Sequence, residues 1–148
     1  MTNNSRVDLL LVEDDPGDAM MTREVLAESD VELALHVVDN GEAAISFLRQ
    51  ENPYADAPRP DLILLDLNLP RVDGREVLAF VKGDKSLRQI PLVVLSTSDS
   101  DDDIAQSYDL HANAFVTKPV DFDSFRSVVR RVDDFFLSVA RLPPKPQP

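Results

Sequence analysis

Five short runs of mostly apolar residues alternate along the chain with segments that carry apolar residues at helical spacing. No other feature of the sequence restricts the fold as much. Continuous apolar runs of this length, bounded by turn residues, are typical of strands that are buried on both faces of a sheet. The second run is more mixed in polarity, so we expect it near an edge of the sheet. The runs lie at 7–12, 33–38, 61–67, 91–96 and 114–117.

The segments between these runs predict five helices. The first begins at Asp15-Pro16, where a capping side chain precedes a proline at the first helical position. Strict alternation of strand and helix requires right-handed crossovers, and these give a parallel sheet with helices on both faces. The sequence therefore predicts a five-stranded, doubly wound α/β domain. Its helices are expected at about 15–29, 41–50, 74–83, 100–110 and 121–140.

Length and composition exclude several classes of protein. A chain of 148 residues fits one ordinary domain. With 15 Lys and Arg against 27 Asp and Glu, the net charge of -12 opposes binding to nucleic acid. The absence of cysteine excludes disulfides and thiolate chemistry, and no apolar run approaches the roughly 20 residues of a membrane-spanning helix. Because the start also lacks the plan of a signal peptide, we expect a cytoplasmic protein without a membrane partner.

The C-terminal end, LPPKPQP, is rich in proline, which cannot continue a helix because it lacks the amide donor. We therefore expect a domain over residues 1–141 and a disordered tail over residues 142–148.

Polar side chains follow four of the apolar runs at their carboxyl ends. Ligands of doubly wound sheets bind outside this edge, so these side chains are candidates for a common site. They are Glu13, Asp14 and Asp15 after the first run, Asp66 at the third, Ser96 and Thr97 at the fourth, and Lys118 at the fifth.

Three carboxylates that converge without histidine or cysteine suit a hard, oxygen-seeking cation, and Mg2+ is the natural candidate. One carboxylate would remain free to react. Asp66 is the expected nucleophile, because carboxylates form aspartyl phosphates and Asp66 ends the most apolar central run. Lys118 would pair with Asp66 or with phosphoryl oxygens, and the Ser96 hydroxyl could bond the phosphoryl group after transfer. Asp15 is expected to act as a helix cap instead.

The chain resembles the receiver domains of bacterial response regulators over nearly its whole length. The resemblance rests on LLLVEDD (9–15), LILLDLNLPRVDG (62–74), IPLVVLST (90–97) and FVTKP (115–119). It implies a flavodoxin-like sheet with strand order 2-1-3-4-5 and a sensor histidine kinase as the phosphoryl donor.

The same resemblance assigns roles to individual residues. It implies phosphorylation of Asp66, with Lys118 as the phosphate partner and a cis bond between Lys118 and Pro119. Asp14 would bind the metal directly, Glu13 through water, and the Asn68 main-chain carbonyl would complete the metal site. Ser96 would be the switch hydroxyl and Phe115 the switch aromatic, although a phenylalanine at a strand end is also an ordinary core residue.

Within that family, DDPGDA (14–19), the long loop at 51–60 and the FF…LP segment near the end resemble small single-domain regulators that are paired with phytochrome-type histidine kinases. Thr97 departs from the family, since many receivers carry alanine there.

Two alternative functions follow from the residues. A haloacid-dehalogenase-type phosphatase also forms an aspartyl phosphate, but it needs an acidic residue two positions after the nucleophile, where this chain has Asn68. A flavodoxin-like flavin carrier is rejected, because the acidic run 13–15 would repel the cofactor's phosphate. The preferred hypothesis is a single-domain regulator that catalyses only its own phosphorylation and dephosphorylation. Surplus apolar residues in the last helix have two interpretations: a homodimer through that helix, or cover by the tail or a neighbouring loop.

Overall fold

The computed structural model describes residues 6–146, and within them each of the five predicted strands and five predicted helices is present. Residues 1–5 of the predicted domain and residues 147–148 of the predicted tail lie outside the described residues. The strands are β1 (Val7–Val12), β2 (Leu33–Val38), β3 (Leu62–Leu65), β4 (Leu92–Ser96) and β5 (Ala114–Thr117). The helices are α1 (Pro16–Ala27), α2 (Gly41–Arg49), α3 (Gly74–Gly83), α4 (Asp101–Asp109) and α5 (Phe122–Asp133).

The strands form one parallel sheet in the order β2-β1-β3-β4-β5, which confirms the predicted strand order and the edge position of the second strand. The register aligns Val12 with Leu65, Leu65 with Val94, and Ser96 with Thr117. The carboxyl ends of β1, β3, β4 and β5 therefore meet along one edge of the sheet.

Alternate strand residues point to opposite faces and build two cores. Leu10 and Ile63 lie in the core that α2 and α3 cover, whereas Leu9 and Leu62 lie in the core that α1 and α5 cover. All four side chains are fully buried. Both faces of the sheet are thus covered, as the continuous apolar runs predict.

Each of the five α-helices follows a residue whose side chain accepts a hydrogen bond from a main-chain N–H group in the first turn, which satisfies donors that lack a partner inside the helix. These caps fix where the helices start. They are Asp15, Asn40, Asp73, Ser100 and Asp121, and the expected capping role of Asp15 is confirmed.

The last helix differs from the single α-helix expected over 121–140. It is α-helical only to Asp133 and continues as a π-helical segment over Asp134–Val139, in which the Ala140 N–H group bonds the Phe135 carbonyl at 2.6 Å. The wider turn leaves Leu137 buried in the core beneath α1 and α5.

Residues 142–146 lie along the domain, and the disorder expected of the tail from residue 142 stays a prediction. Leu142 packs against the core beneath α1 and α5, and the Lys145 ammonium lies near the carboxylates of Asp8 and Asp61. The attraction between this cation and two buried acids favours this position of the segment. Among residues 6–146 no helix is both long and apolar enough to cross a membrane.

Candidate functional site

The candidate site lies at the carboxyl edge of the sheet, where the loops after four strands meet. Glu13 and Asp14 follow β1, Asp66 follows β3, Ser96 ends β4, and Lys118 follows β5. Asp66 lies just beyond the end of β3, and its N–H group continues the ladder to the Val12 carbonyl at 3.0 Å. The structure therefore brings together the carboxylates and the lysine that the sequence selects.

Lys118 is the centre of the site. It is 6% exposed, and its Nζ lies 2.5 Å from Glu13 Oε1, 3.0 Å from Asp18 Oδ2 and 3.1 Å from Asp66 Oδ2. Burial acts to lower the pKa of Lys118, but the hydrogen bonds and charges of the three carboxylates outweigh it, and the pKa is raised. The three carboxylates therefore favour the ammonium form of Lys118 inside this acidic pocket.

Three carboxylates lie close enough together to share a cation. Glu13, Asp14 and Asp66 each offer one oxygen, and these oxygens lie within 4.8 Å of one another. Glu13 and Asp66 are buried, whereas Asp14 is exposed to solvent. Burial raises the pKa of Glu13 against the opposing effect of Lys118. An all-oxygen donor set, open to water on one side, fits a hard divalent cation such as Mg2+.

The loop after Asp66 is held tightly against the Asp66 side chain and backbone. The Asn68 N–H group donates to Asp66 Oδ1 at 3.1 Å, and the Gly74 N–H group donates to the Leu67 carbonyl at 2.9 Å. A side chain at Gly74 has no room, because a Cβ there would lie 2.4 Å from the Asp66 carbonyl oxygen. Glycine at this position lets the start of α3 approach the backbone of Asp66 and Leu67 this closely. The metal-binding role expected for the Asn68 carbonyl stays a prediction.

The two expected switch residues occupy different environments. Ser96 is fully buried, and its Oγ accepts a hydrogen bond from the Ser98 N–H group at 3.2 Å. Phe115 is half-buried against the core beneath α2 and α3, and its N–H group donates to the Tyr108 hydroxyl at 3.1 Å. Both residues thus link the site edge to α4 or its preceding loop, and their switching roles stay predictions.

Sequence reasoning missed Asp18, which supplies a third carboxylate to Lys118. The sequence did contain a signal for Asp18. It lies in the first turn of α1, directly after the acidic end of β1, and a side chain there can point back to the carboxyl edge of the sheet. The expectation of a cis Lys118–Pro119 bond was wrong for this structure, in which the bond takes the intrinsically favoured trans form.

Comparison with known proteins agrees with this geometry. A family model described as the response regulator receiver domain matches residues 9–130. The response regulator Rcp1 from Synechocystis sp. is 44% identical over 135 residues, which cover 91% of this chain and 92% of Rcp1. The probable methanogenesis regulatory protein FilR2 from Methanothrix harundinacea is 38% identical over 136 residues, covering 91% of this chain and 86% of FilR2.

Solved structures give the same result. The phosphorylated cyanobacterial phytochrome response regulator RcpA has a TM-score of 0.91 and 49% identity, covering 94% of this chain and 99% of RcpA. The Mn2+-bound form of Rcp1 has a TM-score of 0.91 and 43% identity, covering 93% of this chain and 99% of Rcp1. These matches give no support to the haloacid-dehalogenase alternative.

Proposed function

The chain belongs to the response regulator receiver domain family, and from that premise we propose that it accepts one phosphoryl group on Asp66 from a sensor histidine kinase. It then signals as a single domain, by conformational change and protein contact. The observation that carries the proposal is the Lys118 ammonium, 3.1 Å from the Asp66 carboxylate at the acidic edge of the sheet.

The transfer is a simple displacement. An Asp66 carboxylate oxygen forms a bond to phosphorus while the bond from phosphorus to the kinase histidine nitrogen breaks, and that nitrogen keeps the electron pair. Lys118 offsets the negative charge that the phosphoryl group brings. The buried Ser96 hydroxyl offers the bound phosphoryl group a contact that the free site lacks, and this difference favours one conformation.

We assign the divalent cation to Glu13, Asp14 and Asp66, with the Asn68 carbonyl as a further ligand, and we propose Mg2+ as the ion. Three carboxylate oxygens within 4.8 Å support this assignment. The Mn2+-bound form of Rcp1 is the corresponding observation in a relative. When bound, the cation supplies charge neutralisation to the phosphoryl oxygens.

A phytochrome-type histidine kinase is the proposed donor, since RcpA is described as a phytochrome response regulator. The side chains of Met20, Val120 and Phe122 support a docking surface at the site. They follow the carboxyl ends of β1 and β5, and they are 63%, 105% and 65% exposed. Large apolar side chains exposed beside a polar pocket are suited to a protein partner.

A homodimer through the fifth helix is also part of the proposal. Phe135 and Val139, on the continuation of α5, are 53% and 70% exposed. Size-exclusion chromatography with light scattering should give a dimer in at least one phosphorylation state, and a monomer in both would contradict the dimer.

No nucleic acid partner is proposed, because the net charge is -12, and the cytoplasmic location expected from the sequence is retained.

The test is intact-mass spectrometry after incubation with acetyl phosphate. A gain of one phosphoryl group, about 80 Da, should require Mg2+ and should be absent from Asp66→Asn. Asp56→Asn, an exposed loop aspartate, is the matched control and should gain the group normally. A folded wild-type protein that gains no phosphoryl group would contradict the proposal. Steady turnover of p-nitrophenyl phosphate would instead support a phosphatase.

A further inference from the structure

We infer that Asp18 is a positioning residue that competes with the incoming phosphoryl group for the Lys118 ammonium. The inference rests on the proposed phosphorylation of Asp66 and concerns how readily the site accepts the phosphoryl group. None of the motifs that identify the family assigns a role to this aspartate.

The competition follows from the number of donors on Lys118. A lysine ammonium has three N–H groups. Three carboxylate oxygens, on Glu13, Asp18 and Asp66, lie within 3.1 Å of Lys118 Nζ, so each N–H group has one acceptor. A phosphoryl oxygen can gain a hydrogen bond from Lys118 only when one of these carboxylates gives up its own.

The exposed fraction of each side chain decides which carboxylate loses its hydrogen bond from Lys118. The Glu13 side chain is 2% exposed and its oxygen lies closest to Lys118 Nζ, so its release would leave a buried charge without a partner. Asp66 carries the phosphoryl group and stays in place. The Asp18 side chain is 23% exposed, so water can replace Lys118 as its partner at a smaller cost.

The backbone of Asp18 is fixed, and this confines the change to its side chain. Its N–H group donates to Asp15 Oδ1 at 3.2 Å, and its carbonyl accepts from the Thr22 hydroxyl at 2.8 Å. The carboxylate is therefore held beside Lys118 by the first turn of α1. In that position it also repels an anionic phosphoryl donor.

Removing the charge of Asp18 should therefore make phosphorylation easier. In Asp18→Asn the side chain keeps its shape and an acceptor oxygen but loses the negative charge that pairs with Lys118. We expect the rate of phosphoryl gain from acetyl phosphate to rise about five-fold, the scale of one partly exposed ion pair. In that reaction the phosphorus to acetate oxygen bond breaks and acetate leaves with the electron pair.

The experiment compares rates by intact mass, at several salt concentrations, for wild type, Asp18→Asn, Asp18→Glu and Glu24→Gln. Glu24 is the matched control, because it lies on the same helix, is largely exposed and contacts Arg126 instead of Lys118. Asp18→Glu keeps the charge and should return the rate towards that of wild type. The gain in Asp18→Asn should shrink as salt rises, because screening weakens the effect of a charge but not that of a change in shape.

Several outcomes would overturn the inference. They are an Asp18→Asn rate equal to or below that of wild type, an equal gain in Glu24→Gln, or an equal gain in Asp18→Glu. Thermal unfolding of each variant establishes that it is folded. Failure of the proposed function is separate, because it would appear as no phosphoryl gain in the wild type itself.

Discussion

Lys145 places its ammonium nitrogen 2.6 Å from Asp61 Oδ2, so that a residue near the C-terminal end contacts the start of the central strand β3. The same nitrogen lies 3.3 Å from Asp8 Oδ2. Asp8 and Asp61 are 4% and 7% exposed, and the Asp8 N–H group donates to Asp61 Oδ2 at 2.8 Å. Two buried acids at the amino edge of the sheet thus share one cation from the tail.

Replacement of Lys145 by glutamine should destabilise the domain. Asp8 retains contacts with Arg6 and His36, so the loss should be smaller than for an isolated buried charge. We expect about 1 to 2 kcal/mol less free energy of unfolding. Urea denaturation should measure it. Lys85→Gln, at an exposed lysine after α3, removes the same charge as a control, and an equal loss in both variants would refute a specific contact.

Gly74→Ala should destabilise the domain and disturb the site. The added Cβ would lie 2.4 Å from the Asp66 carbonyl oxygen and 2.5 Å from Leu67 Cα, and backbone atoms cannot move aside cheaply. We expect a loss of about 3 kcal/mol and slower phosphorylation of Asp66. Gly83→Ala is the matched control, because a Cβ there meets nothing within 4 Å. It should be neutral or slightly stabilising, and similar losses in both variants would disprove the packing argument.

Arg75→Gln should loosen the start of α4. The Arg75 guanidinium lies 2.7 Å from Asp103 Oδ1 and also donates to Asp73 and to Gln106, so it ties α3 to α4. Asp103 in turn accepts from the Ser98 hydroxyl. We expect amide hydrogen exchange in α4 to quicken about five-fold, the scale of one organised ion pair.

Hydrogen exchange with mass spectrometry would measure this change peptide by peptide. Arg126→Gln, which removes a 3.4 Å pair with Glu24 between α1 and α5, is the control and should leave α4 unchanged. Unaltered exchange of α4 in Arg75→Gln would show that the tie does not restrain that helix.

Asp133→Asn should stabilise the domain at neutral pH but not in acid. Burial raises the pKa of Asp133 above its ordinary 3.8, although the Ser29 hydroxyl donates to it at 2.8 Å. A raised pKa means that the folded state disfavours the charged form, so wild type loses stability as pH rises through the raised value. Asparagine keeps the acceptor for Ser29 without the charge.

The gain in free energy of unfolding of Asp133→Asn should therefore grow from about pH 4, where an ordinary carboxyl group titrates, up to the raised pKa of Asp133. Above that pKa the gain should stay constant. Thermal unfolding at a series of pH values would show it. A gain that is independent of pH, or a loss at neutral pH, would contradict burial as the cause.

The sequence by itself determined the order of strands and helices and the residues at the carboxyl edge of the sheet. Continuous apolar runs are stable only as buried strands, and capping residues such as Asp15 and Asp121 mark helix starts by local hydrogen bonding. In a parallel sheet the strand ends meet at one edge, so Asp66 and Lys118 could be placed together before their distance was known.

Only the tertiary structure decided the contacts that depend on how elements pack against each other. Asp18 reaches Lys118 because of the rotation of α1 about its axis, and Lys145 reaches Asp61 across 84 positions in the chain. The π-helical turn before Leu137 depends likewise on the core beneath it. Local sequence patterns report only on neighbours along the chain, whereas these contacts arise when distant segments bury their charges and apolar side chains together.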